Sequence, residues 1–273
     1  MLDCDHPSLP AGWVNPSGQL REKPRTKGLT MVIDKGVGLG AYRDLLELAA
    51  SYFDIYKLGF GTAALYSNEL LRHKLTLAVQ HGLHIMPGGT FFEIALRQSS
   101  ATAYMNSIKA AGFNAVEISD GTFPLSRKER REAIAAGVDA GLIVYTEVGK
   151  KAADYRTELD ELLETLQADL AAGASHVIVE ARESGTVGIF DKNGCADCGF
   201  VREIASAAGE QASRLIWEAP QKEQQVSLIC TLGSDVNLGN ISYTDVLSVE
   251  TLRRGLRGDT AAIMDAGRLS GCE

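Results

Sequence analysis

Histidine and cysteine, the side chains that most often carry nucleophilic catalysis or hold zinc, are scarce in this chain of 273 residues, which has five of each. The cysteines are Cys4, Cys195, Cys198, Cys230 and Cys272. An odd number, with no basic-then-apolar leader in "MLDCDHPSLPAGWVNPSGQL", fits reduced thiols and a cytoplasmic protein. Cys195-Ala-Asp-Cys198 has no second pair of ligands at zinc spacing and reads as an incidental loop pair. The histidines His6, His73, His81, His84 and His176 fall in an N-terminal arm, in helical segments or near strand starts. That distribution argues against a histidine triad and against a zinc hydrolase. No apolar window is long enough to span a membrane. Positive charge is also in deficit, 27 Lys and Arg against 35 Asp and Glu, a formal net charge of -8. The balance excludes a general nucleic-acid or membrane-surface role, so an anionic small substrate needs a local cationic pocket. Neither a P-loop nor a G-x-S-x-G elbow is present.

What is abundant is alternation. Short apolar runs at 29–34, 53–59, 83–89, 114–120, 142–149, 176–183, 214–220 and 235–241 are separated by stretches with apolar residues at helical spacing. Gly112, Gly137 and Gly173 fall where helices are expected to stop. Strand–helix alternation implies a parallel sheet covered by helices, and eight such units predict a single α/β domain, a (β/α)8 TIM barrel, with a doubly wound open sheet as the competitor. The expected limits are an N-terminal arm over 1–27, the barrel over 28–260 and a tail over 261–273.

The strand ends carry the chemistry. Glu117, Glu147, Glu180 and Glu218 each stand near the C-terminal end of an apolar run, the first run ends in Asp34-Lys35, and the second carries Lys57. In a barrel these ends converge on the catalytic face. Any one of these glutamates could instead cap a neighbouring loop. Together, buried carboxylates require cations, and Lys57, Lys150, Lys151 and Arg182 are near in sequence. Oxygen ligands without histidine point to a hard ion, most simply Mg²⁺. The stretch "GVGLGA" (36–41) has the glycine spacing of a dinucleotide loop, but Lys57-Leu58-Gly59 stands where a ribose-binding acid is needed. Its glycines instead let a loop and helix start approach a ligand. Arg253, Arg254 and Arg257 read as a solvated helix face, with Arg257 the best exception.

The segments "LTMVIDKG", "KLGFGTAALY", "PGGTFFE", "VEISDGT", "TEVGKK", "IVEARESG", "WEAPQK", "VNLGNI" and "VETLRRGLRGDT" occur in series from about Gly28 to Thr260, and together the chain resembles the phosphosulfolactate synthase family. The resemblance implies a (β/α)8 barrel that uses Mg²⁺ to add sulfite to C3 of phosphoenolpyruvate, giving (2R)-2-O-phospho-3-sulfolactate, a step towards coenzyme M in methanogens. It implies a metal-stabilised aci-carboxylate that a lysine protonates at C2, and it maps that lysine to Lys151. Glu117, Glu147 and Glu180 are then the expected metal ligands, with Asp34 and Glu218 as further candidates. Lys35, Lys57 and Arg182 are the candidate contacts to sulfite, carboxylate and phosphate, and Lys150 faces phosphate or solvent. Ser119, Gly239, Asn240 and Arg257 complete the expected substrate contacts. The arm and the family make a homo-oligomer the expectation. Two alternatives remain open here. One is a barrel enzyme that adds another nucleophile to an enolpyruvyl substrate or forms a Schiff base at Lys57. The other is a non-catalytic, stress-related homologue.

Overall fold

The computed structural model describes residues 9–17, 22–150 and 155–262. Eight strands fall on the eight apolar runs, β8 ending one residue past its run: β1 Thr30–Asp34, β2 Ile55–Leu58, β3 His84–Pro87, β4 Ala115–Ile118, β5 Ile143–Val148, β6 His176–Val179, β7 Leu215–Glu218 and β8 Leu238–Ser242. A short helix of the arm, α1 Ala11–Val14, precedes them. In the first half of the barrel the helices are α2 Leu39–Ala49, α3 Asn68–Gln80, α4 Gly89–Leu96 and α5 Ala101–Ala111. In the second half they are α6 Arg127–Asp139, α7 Leu159–Ala172, α8 Cys198–Ala208, α9 Lys222–Leu232 and α10 Val246–Arg253. The strands form one parallel sheet in the order β3-β2-β1-β8-β7-β6-β5-β4, as a (β/α)8 barrel requires. At the seam between β3 and β4 a side chain substitutes for part of the ladder. The Asn114 amide accepts from Ile85 N at 2.7 Å and donates to Leu83 O at 2.9 Å.

Strand periodicity divides the core. Met31, Ile55, Met86, Ala115, Tyr145, Ile178 and Ile216 fill the barrel interior. The alternate residues, such as Val32, Tyr56, Val116, Val177 and Trp217, pack outward under the helices. Gly112 and Gly173 cap α5 and α7 in left-handed conformation, as expected. Gly137 does not stop a helix. It lies inside α6, where an added Cβ would sit 2.7 Å from Val144 Cγ2, so its small size lets the helix close on β5.

The N-terminal end of the barrel is sealed by polar groups. Arg253 is fully buried there, not solvated as the charge pattern suggested, and donates to the carbonyls of Leu29, Ser234 and Val236. The arm docks beside it through Ser17 N to Arg254 O at 3.2 Å and Arg254 Nη1 to Val14 O at 3.3 Å. His84 and His176 flank Tyr145 at this same end, away from the glutamates, with His84 Nδ1 2.6 Å from the phenol oxygen. Burial, with Arg214 and His84 nearby, lowers His176 to about 4. The unfolded chain therefore binds a proton here below about pH 6.5 that the folded chain takes up only near 4. The contribution is present above 6.5 and is lost as pH falls towards 4, up to about 3 kcal/mol. His176→Gln is expected to flatten this part of the acid limb of a Tm-against-pH curve; parallel curves for the two proteins would contradict the assignment.

Candidate active site

At the C-terminal end of the barrel the inward parity that places Tyr145, Ile178 and Ile216 in the core brings Glu147, Glu180 and Glu218 to its mouth. Lys57 rises among them from β2. Lys57 Nζ lies 2.7 Å from Glu117 Oε2, 3.5 Å from Glu218 Oε1 and 3.6 Å from Glu147 Oε2, and all four side chains are nearly inaccessible to solvent. Burial works to lower the lysine pKa, but the carboxylates Glu117, Glu218 and Glu147 together hold it well above its ordinary value. Burial raises Glu117 to about 7 against the opposing pull of Lys57. An ammonium so held is a poor amine nucleophile.

Backbone donors fix the carboxylates. Glu117 Oε1 accepts from Gly89 N at 2.9 Å, where α4 begins, so the helix dipole favours its charge. Only glycine fits there, because an added Cβ would stand 2.5 Å from Ser119 Cβ and 2.7 Å from Glu117 Oε1. Glu180 Oε1 accepts from Arg182 N at 2.6 Å and Glu218 Oε2 from Ala181 N at 3.0 Å. Opposite them, β8 pairs with β1 through a register shift that places two residues, Gly239 and Asn240, against Met31. A bulge of this kind re-aims side chains beside a site. It turns Asn240 into left-handed conformation (φ 54°) and leaves its buried Oδ1 without a hydrogen-bond partner.

These groups line a cavity of about 270 Å³ with Phe60, Thr90, Arg182 and Asn240 among its walls. Phe60, Arg182 and Asn240 are also the non-glycine residues with positive φ among the described residues, at 54°, 63° and 54°. Backbone strain is thus gathered on one cavity, as expected of a site whose geometry is imposed by its surroundings. Phe60 is 58% exposed, so it contributes little packing, while its left-handed backbone costs roughly 1–2 kcal/mol. Phe60→Gly is therefore expected to keep or raise Tm. A fall of several degrees would show that the ring is needed for packing.

Other residues expected at the site lie elsewhere. Asp34 has the outward parity of Val32. Its carboxylate pairs with buried Lys74, accepts from Tyr56 OH at 3.0 Å, and takes the amides of Gly36 and Val37 at 2.7 and 2.6 Å, so the structure does not bring it to the cluster. Lys35 is half exposed, pairs with Glu183 at the cavity rim, and lines a neighbouring hollow with Gly36, Val37 and Ser242. Ser119 is fully buried and bonds carboxylates, without lining the cavity. Gly239 faces inward, where a Cβ would meet Met31 Cε at 2.7 Å. Lys150 borders a separate hollow between α6 and α7, and Arg257 donates to Ser248 on α10. Lys151 lies outside the described residues. Of the cysteine pair, Cys195 sits exposed in the turn leading into α8 and Cys198, half-buried, is the first residue of that helix.

One oxygen from each of Glu147, Glu180 and Glu218 lies within 4.8 Å of the others, and all three residues are buried. Lys57 is drawn mainly to Glu117, and its longer contacts to Glu147 and Glu218 leave this trio rich in negative charge. Such an all-oxygen set fits a hard divalent cation. Glu218, a further candidate ligand, belongs to this trio, whereas Glu117, also an expected ligand, is held by Lys57 and Gly89 beside it. Glu93 closes the segment "PGGTFFE" but carries no strand-end signal, because it stands on α4.

The fold and this cluster can be set beside known proteins. The family model described as (2R)-phospho-3-sulfolactate synthase (ComA) matches residues 18–259. The phosphosulfolactate synthase of Methanothermobacter thermautotrophicus is 42% identical over 241 residues, covering 87% of this chain and 93% of the relative. That of Methanocaldococcus jannaschii is 42% identical over 237 residues, covering 86% and 94%. Among solved structures, 3-hexulose-6-phosphate synthase from Salmonella typhimurium superposes with a TM-score of 0.54 at 11% identity, covering 88% of this chain and 99% of that one, a likeness of fold alone. With the family model spanning the whole barrel and relatives matched over nearly their full length, the chain belongs to the (2R)-phospho-3-sulfolactate synthase family of enzymes.

Proposed function

We propose that this enzyme adds sulfite to C3 of phosphoenolpyruvate, with Mg²⁺ as cofactor, to give (2R)-2-O-phospho-3-sulfolactate. The observation that carries the reading is the buried trio Glu147, Glu180 and Glu218 beside Lys57, at the catalytic end of a barrel of this family. The sulfur lone pair forms the C3–S bond, the C2=C3 electron pair moves towards the carboxylate, and C2 then takes a proton. Bound by Glu147, Glu180 and Glu218, the cation would supply positive charge where that carboxylate gains negative charge.

The chain's own residues have defined tasks in this reading. Lys57, kept protonated by its carboxylate neighbours, holds the glutamates together and adds a fixed positive charge at the cavity wall. Arg182, exposed on that wall, and Lys35 at the rim lessen the repulsion between two anionic substrates. The side chain of Asn240, aimed by the bulge, contacts the phosphate ester. Lys151 delivers the proton to C2, the role the family resemblance implies.

³¹P NMR of the protein with phosphoenolpyruvate, sulfite and Mg²⁺ tests the reading. A new phosphate-ester resonance that requires both sulfite and metal and disappears with EDTA is expected. An unchanged spectrum with folded protein would overturn it. In the same assay Lys151→Ala is expected to lose the product signal while retaining phosphoenolpyruvate binding, and product formed at the wild-type rate would assign the proton to another group.

A further inference from the structure

α4 presents two residues to the cluster from one helical face. Gly89 and Glu93 are four apart, so they lie one above the other. Gly89 donates its amide to Glu117. Glu93 is only 2% exposed, does not line the cavity, and stands at no strand end. A carboxylate this deeply buried is costly unless donors surround it. Glu93 has them: Oε2 accepts from Thr122 N at 2.7 Å and Phe123 N at 2.6 Å, and Oε1 lies 2.7 Å from Ser119 Oγ. The same Ser119 oxygen is 2.9 Å from Glu147 Oε1. One hydroxyl thus joins a carboxylate outside the cavity to one of the trio.

The main chain of Glu147 is gripped as well. Arg130 Nη2 donates to Glu147 O at 2.9 Å, and Arg130 is itself held by Asp169 at 2.7 Å and Asp120 at 2.9 Å. Asp120, Thr122 and Phe123 all belong to the loop after β4. That loop therefore steadies Glu147 twice, at its carbonyl through Arg130 and at its carboxylate through Ser119 and Glu93. We propose that Glu93 is a positioning residue that acts through the Ser119 hydroxyl to orient Glu147 for the divalent cation. The proposal rests on the reading of Glu147, Glu180 and Glu218 as the cation's ligands.

Outer hydrogen bonds to metal ligands typically change metal affinity by roughly 10–100-fold when removed. The test is a double-mutant cycle on Mn²⁺ affinity without substrate, read by electron paramagnetic resonance of the free ion, with thermal unfolding of every variant. Ser119→Ala and Glu93→Ala are each expected to weaken Mn²⁺ binding by about tenfold. Because both cut one path, the double variant is expected to bind Mn²⁺ like Ser119→Ala alone. Should Glu93→Ala fail to fold, Glu93→Gln serves. Its carbonyl keeps the two loop amides, while its NH₂ puts a donor where Ser119 Oγ now meets a carboxylate oxygen, so the link from Glu93 through Ser119 is altered without loss of the loop contacts and a weakening of Mn²⁺ binding is expected. Additive losses would overturn the proposal, since Glu93 would then act on the loop rather than through Ser119. Unchanged affinity in the single variants, with Glu147→Gln losing Mn²⁺, would overturn it while leaving the cation site standing. A wild-type protein that binds no Mn²⁺ would overturn the cation site, and this role of Glu93 with it.

Discussion

Lys57→Met is expected to cost about 3–5 kcal/mol of stability at neutral pH and to remove activity, the largest loss at any position in the barrel mouth. The substitution keeps length and apolar volume but removes the cation 2.7 Å from Glu117, 3.5 Å from Glu218 and 3.6 Å from Glu147. Carboxylates buried without that charge must either stay ionised in a dry site or take up protons. A loss of this size is a large part of the roughly 5–15 kcal/mol that holds a domain folded, and lowers Tm by roughly 10 °C. The pH dependence follows from the directions of the shifts. Lys57 is raised in the folded state, so its contribution is intact below about 10.5 and fades only in strong alkali. Glu117 is also raised, to about 7, so the folded protein binds its proton more tightly, and that contribution declines as pH rises from about 4.5 to 7. Removing Lys57 moves the Glu117 window upward. The variant should therefore be rescued by mild acid, and also by Mg²⁺, which brings positive charge back to the trio. A Tm equal to wild type at pH 8 without metal would contradict this account of the cluster.

The second large effect is expected at the trio itself. Glu147→Gln and Glu180→Gln each remove a charged oxygen donor, and both turnover and Mg²⁺ affinity are expected to fall at least about a hundredfold, beyond the usual range for outer contacts. Stability should move the other way. In metal-free buffer one carboxylate fewer relieves repulsion in a crowded, buried cluster, so Tm should hold or rise as activity disappears. Glu117→Gln supplies the contrast. Glu117 is held by Lys57 and Gly89 and lies outside the trio, so its replacement should shift the Mg²⁺ titration far less. Equal Mg²⁺ titrations for wild type and Glu180→Gln would dismiss that ligand.

The barrel was legible because strands buried on both faces read as apolar runs, and a strand falls on each of the eight runs. The convergence of Glu117, Glu147, Glu180 and Glu218 followed from barrel geometry alone. Finer placement depended on parity. Met31 and Ile33 alternate with Val32 and Asp34, and since Met31 faces the interior, Asp34 must face the helices, where Lys74 meets it. That deduction was available from the pleat once an interior residue was fixed. Arg253 was misread because a charged residue near a helix end looks solvated, and only tertiary packing shows the carbonyls it satisfies. Glu93 and Phe60 left no periodic signal. One acts from a helix through a serine, and the other is marked by backbone strain that composition does not record.

The most direct test of the central claim, that the trio holds a divalent cation beside the substrate, is Mn²⁺-induced relaxation of the ³¹P resonance of phosphoenolpyruvate bound to the protein. Strong broadening with wild type that is lost in Glu180→Gln, with phosphoenolpyruvate still bound, is the predicted result. Equal broadening in both proteins, or none in either, would contradict it.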